Sequence, residues 1–432
     1  MQKKYNLEMP TEYSRWHHLA AYDEAENLIG ISDWIDPVHV HGLPFDSVYV
    51  EPMREHVRNK RKLPFSYVQL GPTNSCNLAC EGCYSSNCRS GDTLEYEQVE
   101  SVILKVAEQV KNYNSTTAMV SFHGPGEPLC NAKNRETVLE SVKLCNKLGL
   151  ANRITTNASF NDDNYIEQLI QIPSLKLIWV SMKAGTKDTY REYTGRDKFE
   201  QVQKNMQLIV KMKEKYNRND LTLKCSTEIS KYNVSETLEA AKFAKITGFD
   251  IFKPALHSVD FQKVYIENTE AVENLRESLK NIYDENFNSL YWEIPKKCST
   301  NYYADKFPSK ICYQVESRIY FDGKGMISPC INWLDNHTTD YDFGNINDLN
   351  YFENSDSLTE FNKNGESFKL EHCKKCSDPW VSYFHQWIKT ILEKDINANI
   401  VKIFDSEISK NYPNLADQNV LNNYDPREKY YD

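Results

Sequence analysis

The sequence contains no apolar run near the roughly 20 residues that a transmembrane helix needs. It begins with a polar, acidic stretch instead of the apolar core of a secretory signal. Positive charge is also scarce, because 51 Lys and Arg face 61 Asp and Glu, for a net charge of −10. General binding to nucleic acid or to anionic membranes needs a positive surface. We therefore expect a cytoplasmic protein with neither of these partners.

Internal repeats, low-complexity segments and a Walker A motif are all missing. The glycines near residue 124 lack the third glycine of a dinucleotide-binding fingerprint, and no helix opens directly after them. What remains is a chain of 432 residues, a length that predicts two or three domains.

Cysteine, by contrast, is plentiful at 12 residues. The chain is too long for a small disulfide-stapled domain, and spaced cysteines in a reducing compartment more often bind metal. Two groups stand out by their spacing. The first is Cys76, Cys80 and Cys83, and the second is Cys312, Cys330, Cys373 and Cys376.

The pattern after residue 65 indicates an α/β fold with a parallel sheet, because short apolar runs alternate with helical stretches. Predicted strands lie at 66–70, 118–122, 153–156, 175–181, 221–227 and 250–253. Six strand–helix units are too few for a closed barrel of eight, so we expect a partial (β/α)6 TIM-like barrel. The expected segments are an accessory extension over 1–65, the partial barrel over 66–257, a linker helix over 258–300, a small cysteine-rich domain over 301–378, and a C-terminal helix and tail over 379–432.

The first cysteine group has the spacing C-x3-C-x2-C and follows the first strand of the barrel. Chemistry in barrel-like folds collects in the loops at the carboxyl ends of strands. Thiolates suit zinc or an iron–sulfur cluster, and three ligands instead of four leave one coordination position open, as in a catalytic metal site. A structural zinc site whose fourth ligand is Cys88 or His123 is the alternative.

This run resembles the signature of the radical SAM enzymes. The resemblance implies that Cys76, Cys80 and Cys83 hold a [4Fe–4S] cluster and that S-adenosylmethionine (SAM) chelates its fourth iron. The family commonly has an aromatic residue just before the third cysteine. Here Gly82 stands at that position and Tyr84 follows the cysteine, so Tyr84 is the candidate SAM contact.

The second predicted strand ends in His123-Gly124-Pro125-Gly126-Glu127-Pro128. Glycines allow close approach of the backbone to a ligand, and Glu127 adds a negative charge suited to an ammonium group. The segment is similar to the family's GGEP motif, which implies that Gly124, Gly126, Glu127 and Pro128 hold the methionine amine of SAM. A tight turn without a ligand is the plainer interpretation.

Polar residues also end the third and fourth strands. In similar enzymes such strand tips contact SAM, which implies that Asn157 lies beside the cofactor and that Ser181 and Lys183 reach its ribose or carboxylate. Many relatives carry an acidic residue at the position of Lys183. Polar strand ends that simply face water are the alternative.

The second cysteine group resembles the SPASM and twitch domains of radical SAM enzymes, which hold auxiliary iron–sulfur clusters. Gly325 permits a hairpin turn between Cys312 and Cys330. Ser382 stands where a full SPASM domain would continue its cysteines, so the twitch form with a second [4Fe–4S] cluster fits better. A cluster with four protein ligands has no iron left to bind a substrate, so its expected role is electron transfer or structural support. A zinc ribbon is the alternative, and Cys298 is an unassigned thiol.

Three further features have both a structural and a functional interpretation. Cys225 alternates with Lys224 and Ser226, which predicts a buried cysteine below the helices, although a hydrogen-atom donor is the sharper possibility. The basic run over 54–62 is either a solvated face or a site for an acidic substrate. The aromatic residues over 380–387 have helical spacing and indicate packing first and a substrate wall second.

The resemblance implies an enzyme that cleaves SAM with one electron from a flavodoxin- or ferredoxin-type donor. The resulting 5′-deoxyadenosyl radical would take a hydrogen atom from an unactivated carbon, and the auxiliary cluster would accept an electron afterwards. We expect net oxidation or bond formation on a ribosomal peptide, because the N-terminal layer offers a place to dock one. Dehydrogenation or epimerisation of a small hydroxylated metabolite is an alternative. An iron–sulfur electron carrier without SAM chemistry and a zinc-ribbon interaction protein are the others.

Overall fold

The computed structural model describes residues 17–31, 46–83, 85–113, 117–255, 264, 266–284, 286–289, 313–328, 344–347 and 379–404. Its strands are β1 (His17–Tyr22), β2 (Leu28–Ile31), β3 (Tyr67–Leu70), β4 (Met119–Phe122), β5 (Ala151–Thr156), β6 (Leu175–Ser181), β7 (Thr222–Glu228), β8 (Ile251–Ala255), β9 (Asn288–Ser289), β10 (Arg318–Phe321), β11 (Ile327–Ser328) and β12 (Asn399–Phe404).

The helices are α1 (Glu51–Asn59), α2 (Tyr96–Asn112), α3 (Ala132–Leu148), α4 (Asp163–Ile170), α5 (Lys187–Thr194), α6 (Phe199–Lys215), α7 (Thr237–Thr247), α8 (Thr269–Asn281), α9 (Tyr313–Ser317) and α10 (Pro379–Lys394). A π-helical turn (Asp46–Val50) precedes α1, and a 3₁₀ turn (Ser86–Cys88) follows the cysteine loop. In the part of the chain that the structure covers, no helix is both long and apolar enough to cross a membrane.

A nine-stranded sheet with the order β11-β10-β3-β4-β5-β6-β7-β8-β9 forms the barrel. Every neighbouring pair from β10 to β9 is parallel, whereas β11 pairs with β10 as an antiparallel hairpin. All six predicted strands are present, and β5 begins at Ala151, two residues earlier than predicted. The expected α/β partial barrel is confirmed.

The sequence predicts that Gly149 and Gly248 end two helices of the barrel, and the structure has both helix ends at these glycines. Asn131 caps α3, because its side chain accepts a hydrogen bond from the backbone N–H of Asn134 at 2.9 Å. Gly149 and Gly248 end α3 and α7 with left-handed φ values of 73° and 101°, which glycine adopts without steric cost. These helices bury their apolar faces against the sheet and form the main hydrophobic core.

The strands divide their side chains between that core and the barrel interior. On β7, Leu223 and Cys225 are fully buried in the core beneath the helices, and Lys224, Ser226 and Glu228 face inward. The interpretation of Cys225 as a small buried hydrophobe is confirmed. The inward set is polar, which is unusual for the centre of a packed barrel.

The two ends of the described chain combine into one layer. Strand β1 pairs antiparallel with both β12 and β2. Arg54 on α1 donates hydrogen bonds to the carbonyls of Ile396 and Ala398, the second at 3.0 Å. The core of this layer includes Tyr67, Met119 and Ala151, the first residues of three barrel strands. The layer therefore covers the amino ends of β3, β4 and β5.

The basic run over 54–62 is part of this packing. Besides Arg54, the guanidinium of Arg61 lies 4.1 Å from the ring centroid of Tyr113, and the ammonium of Lys62 lies 4.9 Å from that of Phe65. Burial lowers the pKa of Lys62 to about 8, although the charge of Glu316 opposes the shift. These contacts favour a structural role over a site for an acidic substrate.

The cysteine-rich region contributes to the barrel as well. Strand β10 lies parallel to β3, in register from Arg318 opposite Tyr67 to Phe321 opposite Leu70. Beyond the strand, the N–H of Gly71 donates to the carbonyl of Phe321 at 2.8 Å. Residues 318–328, which the sequence predicted to be part of a separate small domain, thus extend the barrel sheet.

Candidate radical SAM site

The cysteine loop begins where β3 ends and is held against the end of α5. The N–H of Ala79 donates to the carbonyl of Thr194 at 2.9 Å, and that of Glu81 donates to the carbonyl of Tyr193 at 2.8 Å. These two bonds fix the segment between Cys76 and Cys83 at the carboxyl edge of the sheet. The sequence predicted that the cysteine loop lies beyond the end of the first barrel strand, and the structure has the loop there.

All three thiols of the triad are only partly exposed. Burial, followed by the charge of Glu127, raises the pKa of Cys76 to about 11, and burial also raises the pKa of Cys80. The sulfur of Cys83 lies 3.3 Å from the hydroxyl of Ser85. Within the described residues, no three His, Cys, Asp or Glu side chains are gathered around a point as the ligands of a single metal ion would be.

Two cations accompany the thiols. Burial alone would lower the pKa of the Arg89 guanidinium. The negative charges of Cys83, Cys76 and Cys80 outweigh this effect, so the pKa is raised. The pKa of Lys183 is raised in the same way, because the charges of Cys80 and Glu228 outweigh the lowering effect of burial. Metal binding converts thiols to thiolates, so these two cations offset the negative charge that three thiolates bring into a part-buried site.

Tyr190 supplies an independent sign that the site fits a bound group. Its side chain is fully buried, and its hydroxyl has no hydrogen-bond partner among the described residues. Burial raises its pKa, and so do the charges of Cys80, Glu127 and Cys76, which places the hydroxyl within electrostatic reach of the triad. A buried hydroxyl is normally satisfied, so an unsatisfied hydroxyl in the neighbourhood of the triad is consistent with a site that holds a bound group.

Glu127 joins three loops at the carboxyl edge of the sheet. Its oxygens accept hydrogen bonds from the hydroxyl of Thr156 at 2.6 Å and from the N–H groups of Asn157 at 2.7 Å and Leu129 at 3.1 Å. Its own N–H donates to the carbonyl of Ser75 at 2.8 Å. Burial raises the pKa of this carboxyl to about 7, against the lowering effect of those donors.

The glycines of this segment allow its backbone to pack directly against the backbone of the cysteine loop. A Cβ atom added at Gly126 would overlap the carbonyl oxygens of Thr73 and Ser75, and one added at Gly124 would overlap the Cα of Gly71. The sequence predicted close approach to a ligand. The structure shows that this loop also approaches the start of the cysteine loop closely.

Asn157 connects the tip of β5 to the cysteine loop. Its amide nitrogen donates to the side-chain oxygen of Asn77 at 2.8 Å, and its oxygen accepts from the hydroxyl of Ser159 at 2.7 Å. The nitrogen of Asn77 donates to the same hydroxyl at 2.9 Å. This predicted SAM contact therefore lies beside the triad, with Gly124, Gly126, Glu127 and Pro128 on the neighbouring loop.

Lys183 lies between the triad and the barrel interior. Its ammonium is 4.0 Å from a carboxylate oxygen of Glu228, which in turn lies 3.4 Å from the hydroxyl of Tyr193. Ser181, two residues earlier, ends β6 half-buried on the inward face of the sheet. The two predicted SAM contacts of the fourth barrel strand thus point toward the same space as the triad.

The hairpin of β10 and β11 reaches the same loop. Asn74, two residues before Cys76, donates to the carboxylate of Asp322 at 3.2 Å and accepts from the N–H of Gly323 at 2.8 Å. The turn at Asp322-Gly323 thus contacts the residues just before the triad. Tyr84, Cys298, Cys312, Cys330, Cys373, Cys376 and Ser382 have side chains outside the described part of the chain.

Sequence reasoning did not identify Arg89, Tyr190 or Tyr193 as part of the site. Arg89 and Tyr190 belong to no motif, and only the folded chain brings them to the triad. Glu228 continues the inward alternation of Lys224 and Ser226 to the carboxyl end of β7, so the sequence pattern predicts its place at the mouth of the barrel.

Two family models match the chain. Residues 70–219 match the radical SAM superfamily, and residues 312–377 match the SPASM iron–sulfur cluster-binding domain. The chain therefore contains a radical SAM domain and a SPASM-type C-terminal domain, and these domains imply [4Fe–4S] clusters and SAM as cofactors. The resemblance stated from the motifs is confirmed. The match to the radical SAM model favours SAM chemistry over an iron–sulfur electron carrier or a zinc-ribbon protein.

Two curated relatives are similar to the chain. The tungsten-containing aldehyde ferredoxin oxidoreductase cofactor-modifying protein of Pyrococcus furiosus is 21% identical over 369 residues, which is 81% of this chain and 94% of the relative. An uncharacterized protein of Methanocaldococcus jannaschii, MJ0804, is 28% identical over 181 residues. That match takes in 41% of this chain and spans about half, 53%, of the relative.

Solved structures of anSMEcpe share the fold. The native protein with bound AdoMet gives a TM-score of 0.51 at 20% identity, and the alignment covers 74% of this chain and 88% of that chain. The complex with AdoMet and the Cp18Cys peptide gives a TM-score of 0.50 at 20% identity with the same coverage.

Proposed function

We propose that the protein uses the one-electron cleavage of SAM to remove a hydrogen atom from an unactivated carbon of its substrate. The cleavage yields methionine and a 5′-deoxyadenosyl radical, which becomes 5′-deoxyadenosine when it takes the hydrogen atom. The observation that carries this proposal is the part-buried triad of Cys76, Cys80 and Cys83 with Lys183 and Arg89 beside it. A low-potential flavodoxin- or ferredoxin-type donor would supply the electron.

The residues of the chain bind SAM, position it and shield the reactive species. Asn157 and Ser181 are proposed to hold SAM, and Glu127 connects the tip of β5 to the start of the cysteine loop. Tyr84 and Pro128 complete the proposed SAM contacts. A site closed in this way keeps water and oxygen from reactive species and holds the reacting atoms in place.

Net oxidation or bond formation is the proposed outcome. The substrate radical would lose one electron to the auxiliary cluster and one proton to solvent, so that one hydrogen atom, one electron and one proton, equivalent to two hydrogen atoms, leave the substrate in each turnover. Cys312, Cys330, Cys373 and Cys376 are the proposed ligands of this single cluster, as in the twitch form. With four protein ligands it has no open iron, which suits an electron acceptor.

A peptide is the proposed substrate, and the fold supports it, since the anSMEcpe complex binds a peptide on a similar scaffold. The N-terminal layer no longer supports it, because the described part of that layer covers the amino ends of the barrel strands, opposite the cysteine loop. A small metabolite is the second candidate. It is favoured by the similarity to a cofactor-modifying protein over 81% of the chain.

The reaction can be tested with anaerobically reconstituted, reduced protein and SAM. Incubation with peptides and metabolites, followed by mass spectrometry, should show 5′-deoxyadenosine together with a product lighter by hydrogen than its substrate. Deuterium at the reacting carbon should appear in 5′-deoxyadenosine. If 5′-deoxyadenosine never forms, the proposed SAM chemistry is wrong, whereas formation without any modified peptide would favour the metabolite.

Replacing Cys373 by alanine tests the electron acceptor. The wild type should carry about eight irons in two four-iron clusters, and the variant should carry about half as many. Cleavage of SAM should continue in the variant, because the triad is intact, but the modified substrate should not accumulate. Full product formation by Cys373→Ala would contradict the proposed role of the auxiliary cluster. Cys145→Ala, at a buried cysteine of the barrel core, is the control and should keep both clusters.

A further inference from the structure

The loop that follows β5 has a backbone conformation that its own residues do not favour. Ala158, the second residue beyond the strand, has a φ of 53°. This is the left-handed region, where a Cβ atom crowds the neighbouring backbone and glycine is the usual residue. The side chain of Ala158 is fully buried. A residue other than glycine keeps such a conformation only when contacts with the surrounding structure impose it.

Asn205 on α6 supplies these contacts. Its Nδ2 group donates hydrogen bonds to the carbonyl of Ala158 at 2.8 Å and to that of Phe160 at 2.6 Å. The amide has two N–H hydrogens, one for each carbonyl. Its oxygen accepts a hydrogen bond at 3.1 Å from Nε2 of Gln201, one turn earlier on the helix, so the orientation of the amide is fixed as well.

The two carbonyls depend on Asn205. Among the hydrogen bonds of the described residues, they accept from this amide alone. A buried carbonyl that loses its donor is strongly destabilised. Asn205 therefore holds the carbonyls of Ala158 and Phe160 on the same side of the loop, and this arrangement fixes the backbone between them.

The left-handed residue separates two side chains that contact the cysteine loop. Just before it, Asn157 donates to the side-chain oxygen of Asn77 at 2.8 Å. Just after it, the hydroxyl of Ser159 donates to Asn157 at 2.7 Å and accepts from the nitrogen of Asn77 at 2.9 Å. A change of φ at Ala158 would turn Ser159 away from Asn157 and open this closed set of hydrogen bonds.

Asn205 itself lies outside the site. The side-chain hydrogen bonds that it makes within the described chain go to Ala158, Phe160 and Gln201. It is fully buried on a helix face whose other members belong to the main core, namely Val202, Met206 and Ile209. A buried amide in an apolar face is unfavourable unless its hydrogen bonds are made, and here those bonds serve the loop after β5.

We infer that Asn205 is a positioning residue for SAM, which acts by holding Ala158 in its left-handed conformation and so Asn157 in its place beside the triad. This inference rests on the proposed function, because Asn157 is one of the residues proposed to hold SAM. It assigns a role in cofactor binding to a side chain that does not touch the cofactor.

The test is anaerobic calorimetric titration of the reconstituted full chain with SAM. Asn205→Ala should keep its iron and bind SAM about tenfold or more weakly than wild type, the effect of about one lost hydrogen bond. Adding Ala158→Gly to this variant should recover about threefold or more of the affinity, because glycine adopts the left-handed conformation without help. Asn205→Ser, which keeps one donor and leaves a smaller space, is the second variant in case Asn205→Ala does not fold. It should weaken SAM binding about threefold or more.

Asn152→Ala is the matched control. Asn152 is an equally buried asparagine near the amino end of β5, and it donates to the hydroxyl of Ser174 at 2.8 Å. Asn152→Ala should melt below wild type, as Asn205→Ala does, but bind SAM with wild-type affinity.

Three results would overturn the inference. These are wild-type SAM affinity in Asn205→Ala, an equal loss of affinity in Asn152→Ala, and no recovery when Ala158→Gly is added to Asn205→Ala. Calorimetry measures the binding of SAM and not its cleavage. Failure of the proposed function would therefore appear separately, as a wild-type preparation that binds SAM but forms no 5′-deoxyadenosine.

Discussion

Replacing Cys80 by alanine is expected to abolish the formation of 5′-deoxyadenosine. Cys80 is the middle thiol of the triad, and Lys183 and Arg89 both respond to its charge. Without Cys80, only two thiols remain to hold the cluster. The proposed function needs three thiol ligands, because the fourth iron must stay open for SAM. Loss of an outer residue around a metal site typically costs about 10–100-fold, and loss of a ligand should exceed that. Chromatography of the products of the reduced protein with SAM measures the effect.

Cys88→Ala is the control for this prediction. Cys88 lies in the 3₁₀ turn directly after the cysteine loop and is buried, and it was the alternative fourth ligand of a zinc site. The variant should keep its iron and still cleave SAM. If Cys80→Ala continued to form 5′-deoxyadenosine, or if Cys88→Ala lost its cluster, an open three-cysteine site would be contradicted.

Replacing Gly126 by alanine is expected to weaken SAM binding and to lower the stability of the barrel. The new Cβ would overlap the carbonyl oxygens of Thr73 and Ser75, and backbone atoms cannot move aside as the end of a side chain can. Overpacking typically costs about 1–3 kcal/mol. The displacement would also break the 2.8 Å bond from Glu127 to Ser75, which holds the two loops together.

The measurements are the melting temperature and an equilibrium titration with SAM. Gly126→Ala should melt about 4 °C or more below wild type and bind SAM at least tenfold more weakly. Gly91→Ala is the control, because that position has no neighbouring atom within 4 Å of the added Cβ and suffers only from its left-handed φ of 82°. It should lose some stability and keep SAM affinity. Unchanged affinity in Gly126→Ala would refute the assigned role of the loop.

The barrel and the position of the triad were predictable because both depend on local patterns. Alternation of period two identified β7, including the inward side chains of Lys224 and Ser226, and glycines marked the ends of α3 and α7. A cysteine motif directly after a predicted strand must lie at the carboxyl edge of a parallel sheet. No long-range contact was needed for any of these steps.

Other parts depend on contacts between distant residues, which leave no local pattern. The pairing of β1 with β12 joins residues more than 370 positions apart, from His17 opposite Phe404 to Tyr22 opposite Asn399. The placement of Tyr190 beside Cys80 follows from how α5 packs. The packing of Gly126 is another example, because its close neighbours, Thr73 and Ser75, lie some 50 residues earlier in the chain.

The pairing of β10 with β3 has a practical consequence for dissecting this enzyme. A chain shortened before residue 318 would expose the full edge of β3 and would also lose the Asp322 and Gly323 contacts that hold Asn74. Exposed strand edges invite aggregation. Loss of activity in a truncated protein could therefore be explained by damage to the SAM-binding half. It would not test whether the auxiliary cluster accepts an electron. The two iron–sulfur centres have to be separated by point substitution, one ligand at a time.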